Sequence, residues 1–427
     1  MAERSVRSVR ARRALTALAA VASLLLAGCV PVDATEPVPR SDGPGAGRLV
    51  DYSFGHTAAV AKQFADAPLD AVQRLPFTLA ADATSFRIHV RNWNYLSDEP
   101  VQGALEITGV WMGRQGDDPE SSAYAEKPAY VAEGGPITDG ATYTSPWISA
   151  SDVPLDAETP MLLSVGLRAD TGIPLAVTGG VSWLDLLGAS KLGGVEDALG
   201  TWNPSASLLD IWIEHTVAPD TPVLFSIGHS LNAPGNVDPV ASPHEGEITS
   251  WPQQWARAVG GAASTLAVSG AWTTSFGPES PKWMTYAGAV PDYVSIWSSS
   301  SDLASGRTLA DVQASMQVLV ERARKLWPDA RIIGFTEPPR SNKADVDASR
   351  TAYNTWIRTK PLGLDAVVDA DAALTDPADP LALQAGMTAD GAHFNAAGHE
   401  LVASLFTEAV EALEGSGPGG GAATVTP

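Results

Sequence analysis

The second half of the chain alternates short apolar runs with longer segments in which apolar residues recur every three or four positions. The short runs are rich in β-branched and aromatic residues and predict strands at residues 223–227, 266–268, 293–297, 332–335 and 366–368. Strands that alternate with amphipathic helices are typical of a parallel sheet covered by helices on both faces. The pattern therefore predicts an α/β domain.

The segments between these strands predict helices. The clearest helix begins at Thr308, which has with Asp311 the spacing of a capping box, and it ends before Pro328. Two more helices are predicted at about residues 344–358 and 396–413. We assign their apolar stripes to the core of the domain and not to a cofactor site.

The first half of the chain has a different period. Apolar and polar residues alternate around residues 86–91, 105–108 and 163–168, as in strands with one buried and one solvent-facing side. Glycine and proline clusters separate these runs, which favours an antiparallel β-sandwich. On this pattern His89 lies on the solvent face. We place the sandwich at residues 49–210 and the α/β domain at residues 211–413.

Three aromatic residues of the first half, Trp93, Tyr95 and Trp111, allow two interpretations. Their flat faces are suited to stacking against sugar rings, but aromatic side chains more often bury their large surfaces in a core or an interface. We favour packing within the sandwich or against the second domain.

Residues 1–28 have a basic head followed by an apolar run too short to span a bilayer comfortably, and Cys29 comes next in the sequence Leu-Ala-Gly-Cys. This segment resembles a bacterial lipoprotein signal with its lipobox. The resemblance implies cleavage before Cys29, a lipid on its thiol, and a chain anchored on the extracytoplasmic face of the cell membrane. The alternative is an ordinary secretory signal followed by a chance cysteine.

Proline, glycine and small polar residues dominate residues 29–48 and predict a flexible linker, and residues 414–427 predict a disordered tail. Cys29 is the only cysteine of the chain, so neither an intrachain disulfide nor a cysteine metal site is expected. The net charge of -22 argues against nucleic acid as a partner and against electrostatic docking on an anionic membrane. His56, His215 and His244 have no partners at metal-ligand spacing.

The strand predicted at residues 223–227 ends abruptly at Gly228, and Ser230 follows. A serine in a sharp turn at the carboxyl edge of a parallel sheet presents its hydroxyl to the crevice where ligands bind in such sheets. Far along the chain, Asp390 and His393 have a spacing that lets a carboxylate hold an imidazole from behind and leave its other nitrogen free as a base. The three residues suggest a Ser-His-Asp hydrolase site.

The turn around Ser230 and the block from Asp390 to Asn395 resemble, in this order, the motifs of the SGNH (GDSL-type) hydrolases, which are esterases and acylhydrolases. The resemblance covers about residues 221–413, and its last block is the most specific part. It implies a three-layer, flavodoxin-like fold. Residues 85–107 and 145–167 are also similar in pattern to the β-domain that precedes the catalytic domain in some bacterial SGNH esterases.

The resemblance also implies roles for single residues. Ser230 corresponds to the nucleophile, His393 to the base and Asp390 to the residue that orients it, while the N–H groups of Ser230 and Gly270 face the oxyanion. Ser301 stands where the family has an asparagine that supplies a further oxyanion donor, and a hydroxyl is shorter than a carboxamide.

A second departure from the family is His229, which stands where the family has an aspartate before the nucleophile. That aspartate is not the base, so its replacement need not abolish the chemistry. His229 does bring a titratable ring beside the nucleophile.

The sequence therefore predicts a lipid-anchored serine esterase, monomeric and without metal or organic cofactor, that cleaves carboxylic esters of glycans or small molecules. The missing asparagine predicts reduced activity. It also leaves open the alternative of a surface protein that has the hydrolase fold but only binds glycans. Acyl transfer to a sugar would use the same residues, and a drier site would favour it.

Overall fold

The computed structural model describes residues 38, 43–53, 60–63, 69–94, 99–100, 103–138, 140–170, 174–177, 182–186, 188–203, 208–232, 248–277, 280, 282, 288–341 and 343–415. The predicted signal, Cys29, Tyr95, His56, His244 and the tail from residue 416 lie outside these ranges. Within them, no helix is both long and apolar enough to cross a membrane.

The first part of the chain folds into two antiparallel sheets. Their strands, and those of two small two-stranded sheets, are β1 (Arg48–Ser53), β2 (Val60–Gln63), β3 (Leu69–Phe77), β4 (Ser85–Arg91), β5 (Trp93–Asn94), β6 (Glu99–Pro100), β7 (Ala104–Arg114), β8 (Ala129–Ala132), β9 (Gly135–Thr138), β10 (Thr142–Thr144), β11 (Ile148–Ser149), β12 (Met161–Ala169), β13 (Pro174–Val177), β14 (Ser182–Asp185), β15 (Thr201–Asn203) and β16 (Asp210–Val217).

One sheet has the order β1-β16-β4-β10, with β11 also paired to β4, and the other has the order β15-β14-β3-β12-β7-β8, with β9 paired to β7. Apolar side chains of both sheets form one core, to which Phe86, Ile88 and Val90 of β4 contribute from the first sheet and Leu163 and Val165 of β12 from the second. This confirms the predicted antiparallel β-sandwich.

The polar side of the first sheet is not open to solvent, contrary to the sequence pattern. His89 is buried, and its ring stacks on Trp212 at 4.6 Å and lies 2.8 Å from Glu214 Oε2. Gly288, from the second half of the chain, packs close to Glu214, and Ser264 Oγ accepts the Asp51 N–H at 2.9 Å. The prediction of a solvent-facing His89 was wrong because the second domain covers this face.

The second part of the chain contains the parallel sheet, with the order β18-β17-β19-β20-β21. Its strands are β17 (Val223–Gly228), β18 (Ala262–Ala267), β19 (Tyr293–Trp297), β20 (Arg331–Phe335) and β21 (Ala366–Val368). Each strand overlaps its predicted run, and their ends differ by at most four residues. This order is the doubly wound arrangement of flavodoxin-like folds, in which ligands bind at the carboxyl ends of the strands.

Helices cover both faces of the parallel sheet. They are α1 (Trp251–Val259), α2 (Ser300–Ala304), α3 (Leu309–Leu326), α4 (Asp347–Ile357), α5 (Ala370–Leu374) and α6 (Ala396–Gly415). Buried residues of α3 and α4 share a core with one face of the sheet, and those of α1 and α6 share a core with the other. The three-layer α/β fold is confirmed, and so is the capping box at Thr308 and Asp311.

Two details differ from the sequence prediction. Strand β16 pairs with β1 and β4, so the chain leaves the sandwich after Val217 and not at residue 210 as predicted. In addition, a small hairpin of β22 (Thr375–Asp376) and β23 (Asp379–Leu383) separates the last strand of the sheet from Asp390 and His393. The hairpin is mostly exposed and has no strong apolar period of its own.

Candidate active site

The turn after β17 places Ser230 at the carboxyl edge of the parallel sheet. Gly228 is required in this turn, because a Cβ there would lie 1.9 Å from Asn232 Nδ2 and 2.2 Å from the carbonyl oxygen of Trp297. Asn232, which is fully buried, donates from Nδ2 to that carbonyl at 2.9 Å and accepts from Trp251 Nε1 at 3.1 Å. The nucleophile turn is therefore fixed to the neighbouring strand and to α1.

Asp390 and His393 lie in the loop before α6. Phe394 is fully buried and Asn395 Oδ1 accepts the Gly398 N–H at 3.1 Å, so the residues after His393 are anchored in the core and at the start of the helix. Asp390 Oδ2 lies 2.6 Å from His393 Nδ1. The loop thus holds the carboxylate behind the imidazole.

The carboxylate of Asp390 is held in its ionised form. Its Oδ1 accepts the N–H groups of His393 and Ala392 at 2.7 and 2.8 Å. Burial opposes ionisation, but these N–H groups and the His393 ring outweigh it and lower the pKa of Asp390 to about 2. An ionised Asp390 accepts a proton-bearing Nδ1, which leaves His393 Nε2 as the acceptor nitrogen.

Ser230 and His393, 163 positions apart in the chain, are brought together at this edge. His393 Nε2 lies 3.0 Å from Ser230 Oγ, a hydrogen-bonding distance. Ser230 is 7% exposed, while the side chain of His393 is 25% exposed. The hydroxyl therefore has a base beside it, and that base is partly exposed. The arrangement has the geometry required for general-base activation of a serine.

The two backbone N–H groups that the family resemblance assigns to the oxyanion have no acceptor in the described part of the chain. They belong to Ser230 itself and to Gly270, which follows β18 and has a φ of 74°. In a tight turn, the Ala271 N–H donates to the carbonyl of Val268 at 3.0 Å, and Gly270 takes the left-handed position that glycine adopts at little cost. Unpaired N–H groups of this kind are suited to stabilising a negative oxygen.

Ser301 lies on α2, which begins one residue before it. Its carbonyl accepts the Ser305 N–H, whereas its half-buried hydroxyl has no partner among the described residues. The hydroxyl is thus free to donate.

Asp302, the next residue, accepts both the N–H and the hydroxyl of Thr273 and pairs with Arg307. Burial raises the pKa of Asp302, although these partners oppose the shift. Asp302 thus connects α2 to the loop of Gly270, a positioning role that no sequence motif indicates.

The His229 ring points away from the hydroxyl, into the protein. It is buried, its Nδ1 accepts the Leu231 N–H at 3.2 Å, and its Nε2 lies 3.7 Å from Glu337 Oε2. Glu337 also accepts from Trp297 Nε1 and from the Ser299 N–H, each at 3.0 Å. Glu337 therefore supports both the nucleophile turn and the start of α2. No local motif marks Glu337, because its partners come from other strands.

The aromatic residue nearest to Gly270 in sequence is Trp272, which is 44% exposed and has the Arg307 guanidinium 5.7 Å from its ring centroid. By contrast, Trp111 is buried against Tyr130 and the glycines at 193 and 194, and Trp93 packs against the core of the α/β domain. Packing is thus the observed role of Trp111 and Trp93. In the described ranges, no cluster of three or more His, Cys, Asp or Glu residues could hold a metal ion.

Residues 226–401 match the model of the GDSL-like Lipase/Acylhydrolase family. This part of the chain is therefore a GDSL-like lipase/acylhydrolase domain, which confirms the family resemblance. It comprises most of the α/β domain, including the nucleophile turn and the Asp390–His393 loop. The search of curated proteins found no match.

Several solved structures resemble the chain. A carbohydrate esterase family 2 enzyme with a carbohydrate binding domain from Corynascus thermopiles (Myceliophthora fergusii) is 18% identical, over 86% of this chain and 99% of that one, with a TM-score of 0.38. A family two carbohydrate esterase from Clostridium thermocellum, in complex with cellohexaose, is 15% identical over 86% and 99%, with a TM-score of 0.38. A GDSL-like lipase from Bacteroides thetaiotaomicron is 16% identical over 44% and 88%, with a TM-score of 0.35.

Proposed function

We propose that this protein is a serine esterase that hydrolyses carboxylic esters through Ser230, His393 and Asp390. The observation that carries the proposal is the continuous hydrogen-bonded line from Asp390 Oδ2 to His393 Nδ1 at 2.6 Å and from His393 Nε2 to Ser230 Oγ at 3.0 Å. A structural serine has no need of a base, and a structural histidine has no need of a carboxylate behind it. The family of this domain supports the same reaction class.

In the first half of the proposed reaction, Ser230 Oγ attacks the ester carbonyl carbon while His393 Nε2 takes the hydroxyl proton. The negative charge moves to the carbonyl oxygen, where the N–H groups of Ser230 and Gly270 and the hydroxyl of Ser301 would donate. The intermediate collapses when the C–O bond to the alcohol breaks. His393 gives its proton to the leaving oxygen, and the acyl group remains on Ser230.

In the second half, water takes the place of the serine hydroxyl as nucleophile. His393 accepts a proton from the water that attacks the acyl carbon, and it returns that proton to Ser230 Oγ as the acid leaves. Asp390 remains ionised throughout and stabilises the imidazolium formed in each half, because its hydrogen bonds lower its pKa to about 2.

For the substrate we propose an acylated glycan. Trp272 supports this choice, because its exposed indole follows the candidate oxyanion turn by two residues and is held by Arg307. Indole faces stack well on the C–H faces of sugar rings. If this is correct, Trp272→Ala should raise KM for an acetylated xylose glycoside about tenfold and change KM for p-nitrophenyl acetate less than twofold, with Trp272→Phe intermediate.

We also propose that the chain is anchored on the extracytoplasmic face of the cell membrane through a lipid on Cys29. The support comes from the sequence of residues 1–29 alone. In cells, the wild-type chain should sediment with membranes and dissolve in detergent. Cys29→Ser should appear in the soluble extracytoplasmic fraction, and its retention on membranes would contradict the anchor.

The proposed reaction is tested by ester turnover in purified protein. Ser230→Ala and His393→Ala should each lower kcat on p-nitrophenyl acetate by about 10³-fold or more, because both groups act in the same step. Ser404→Ala, on the exposed side of α6, is the matched control and should turn over like wild type. Equal turnover by wild type and Ser230→Ala would show that another group carries the reaction.

The second candidate function is glycan binding without hydrolysis. Ser301 favours it, because the family places an asparagine donor at that position. Acetylated oligosaccharide that binds the wild-type chain and is recovered intact after prolonged incubation would support this candidate. Release of acetate that depends on Ser230 would exclude it.

A further inference from the structure

The loop after β20, residues 336–341, brings a cation to the candidate active site. Arg340 is half-buried, and its Nη1 donates to Ser300 Oγ at 3.3 Å. The next residue, Ser341, donates its N–H to the carbonyl of Gly391 at 3.0 Å. Ser300 precedes Ser301 on α2, and Gly391 follows Asp390. Arg340 therefore lies between α2 and the loop that carries His393.

In the part of the chain that the structure describes, Arg340 has no carboxylate partner. Its Nε is buried without a hydrogen-bond acceptor, which is costly for a charged group. The two carboxylates of the same cavity have other partners: Glu337 accepts from Trp297 Nε1, and Asp347 pairs with Arg350. No direct ion pair with a described residue therefore compensates the charge of Arg340.

Arg340 lines a small recess of about 20 Å³ that is partly open to solvent, together with Lys343 and the apolar side chains of Pro339 and Leu381. The chain as a whole carries a net charge of -22, so its long-range field repels anions. An anion could therefore bind here only through local attraction. Arg340 and Lys343 supply the positive charge for it.

We propose that Arg340 binds a carboxylate of the substrate, next to the ester that Ser230 attacks. The inference rests on the proposed esterase function and narrows its substrate to acylated glycans that contain uronic acid. The planar guanidinium fork matches the two oxygens of a carboxylate, while the sugar ring, which is too large for the recess, would remain outside it beside Ser230. A phosphate group offers similar oxygens, and the experiment separates the two.

The experiment compares three acetylated methyl glycosides that differ at carbon 6. In the first, carbon 6 is a carboxylate; in the second, it is a hydroxymethyl group; in the third, the hydroxyl of that group is phosphorylated. Wild type should show at least tenfold higher kcat/KM for the carboxylate than for the hydroxymethyl compound. In Arg340→Gln this ratio should fall about tenfold, mainly through KM, and Arg340→Lys should retain part of it. A preference for the phosphate over the carboxylate would overturn the assignment to uronic acid.

The ratio separates recognition from general damage, because a disturbed Ser300 would slow both esters equally. Arg168→Gln, which removes an exposed arginine of β12, is the matched control and should leave the ratio as in wild type. The proposal is overturned if wild type does not discriminate between the carboxylate and the hydroxymethyl compound. It is also overturned if Arg340→Gln lowers both rates by the same factor.

A binding measurement keeps the test independent of turnover. Methyl glucuronide is titrated by calorimetry into Ser230→Ala and into Ser230→Ala with Arg340→Gln. Binding by the first that weakens about tenfold in the second supports the subsite even if no ester is hydrolysed, in which case only the esterase proposal fails. Equal binding by the two proteins, or none by either, rejects the subsite.

Discussion

Asp390 uses its two carboxylate oxygens for different purposes. Oδ2 holds the His393 ring, while Oδ1 accepts two backbone N–H groups of the same loop, so the carboxylate is fixed before it acts on the imidazole. The proposed site of the negative oxygen is less complete. In our proposal it has the N–H groups of Ser230 and Gly270 and the short hydroxyl of Ser301 in place of a carboxamide.

Ser301→Asn tests the proposal that the oxyanion site lacks a donor because Ser301 replaces an asparagine. Asparagine would bring a longer donor to the same helix position, so kcat on p-nitrophenyl acetate should rise by roughly 10- to 100-fold, with little change in KM. Stopped-flow measurement of the acylation burst would show which half of the reaction gains. The neighbouring change Ser305→Asn is the control and should have no such effect. An unchanged or lower kcat in Ser301→Asn would mean that the oxyanion site is already complete.

The residues that sequence predicted and those it missed differ in the range of their contacts. Ser230 could be predicted because it closely follows a strand and a glycine in the sequence. Asp390 and His393 could be predicted because they lie three residues apart in one loop. Glu337 contacts His229 and Ser299 from the loop after β20, and no sequence spacing predicts such contacts.

At the scale of elements, the nucleophile turn is tightly constrained by its neighbours. Strand β17 lies between β18 and β19, and the turn after it is bonded to the end of β19 through Asn232. The strands were predictable because a buried parallel strand is apolar along its whole length. The β22–β23 hairpin was not, because its residues are mostly exposed and polar.

Gly228→Ala tests the constraint on this turn. The added methyl would meet the Asn232 amide and the Trp297 carbonyl, so the free energy of unfolding should fall by about 3 kcal/mol and esterase activity should be lost. Gly260→Ala is the control, because Gly260 ends α1 with a φ of 63° and has open space around it. It should cost only about 1 kcal/mol and leave kcat unchanged. Urea unfolding of the two variants would measure both values, and equal losses would contradict the account.

At the scale of the whole molecule, the sandwich and the α/β domain share an interface rich in polar groups. Asp51 binds Ser264 across it, and the guanidinium of Arg257 donates to the carbonyl of Thr78 at 2.9 Å. Each domain could be predicted from its own period. The interface could not, because alternation along a strand marks a polar side without showing whether water or another domain covers it.

Burial also makes the stability of the molecule depend on pH. Burial lowers the pKa of His399 to about 3 and that of His215 to about 4. The unfolded chain binds these protons near pH 6.5, so stability is unaffected above that pH and falls as the pH drops, to about 4 for His215 and about 3 for His399.

His399→Gln should remove one part of this dependence while keeping an acceptor for the Trp251 N–H. We expect the free energy of unfolding to fall less steeply between pH 6.5 and pH 4.5 in the variant than in wild type. The difference in slope should correspond to the uptake of at most one proton on unfolding. Urea titrations at several pH values measure the two slopes. Identical slopes would show that His399 is not kept neutral by the fold.

The central claim is that Ser230 is a nucleophile activated by His393. Its most direct measurement is the labelling of the purified chain with a fluorophosphonate, followed by mass spectrometry of the peptide that carries the label. We predict one label per chain, located on Ser230, with labelling slowed by orders of magnitude in His393→Ala and absent in Ser230→Ala. A label on another residue, or equal labelling of wild type and Ser230→Ala, would contradict the account.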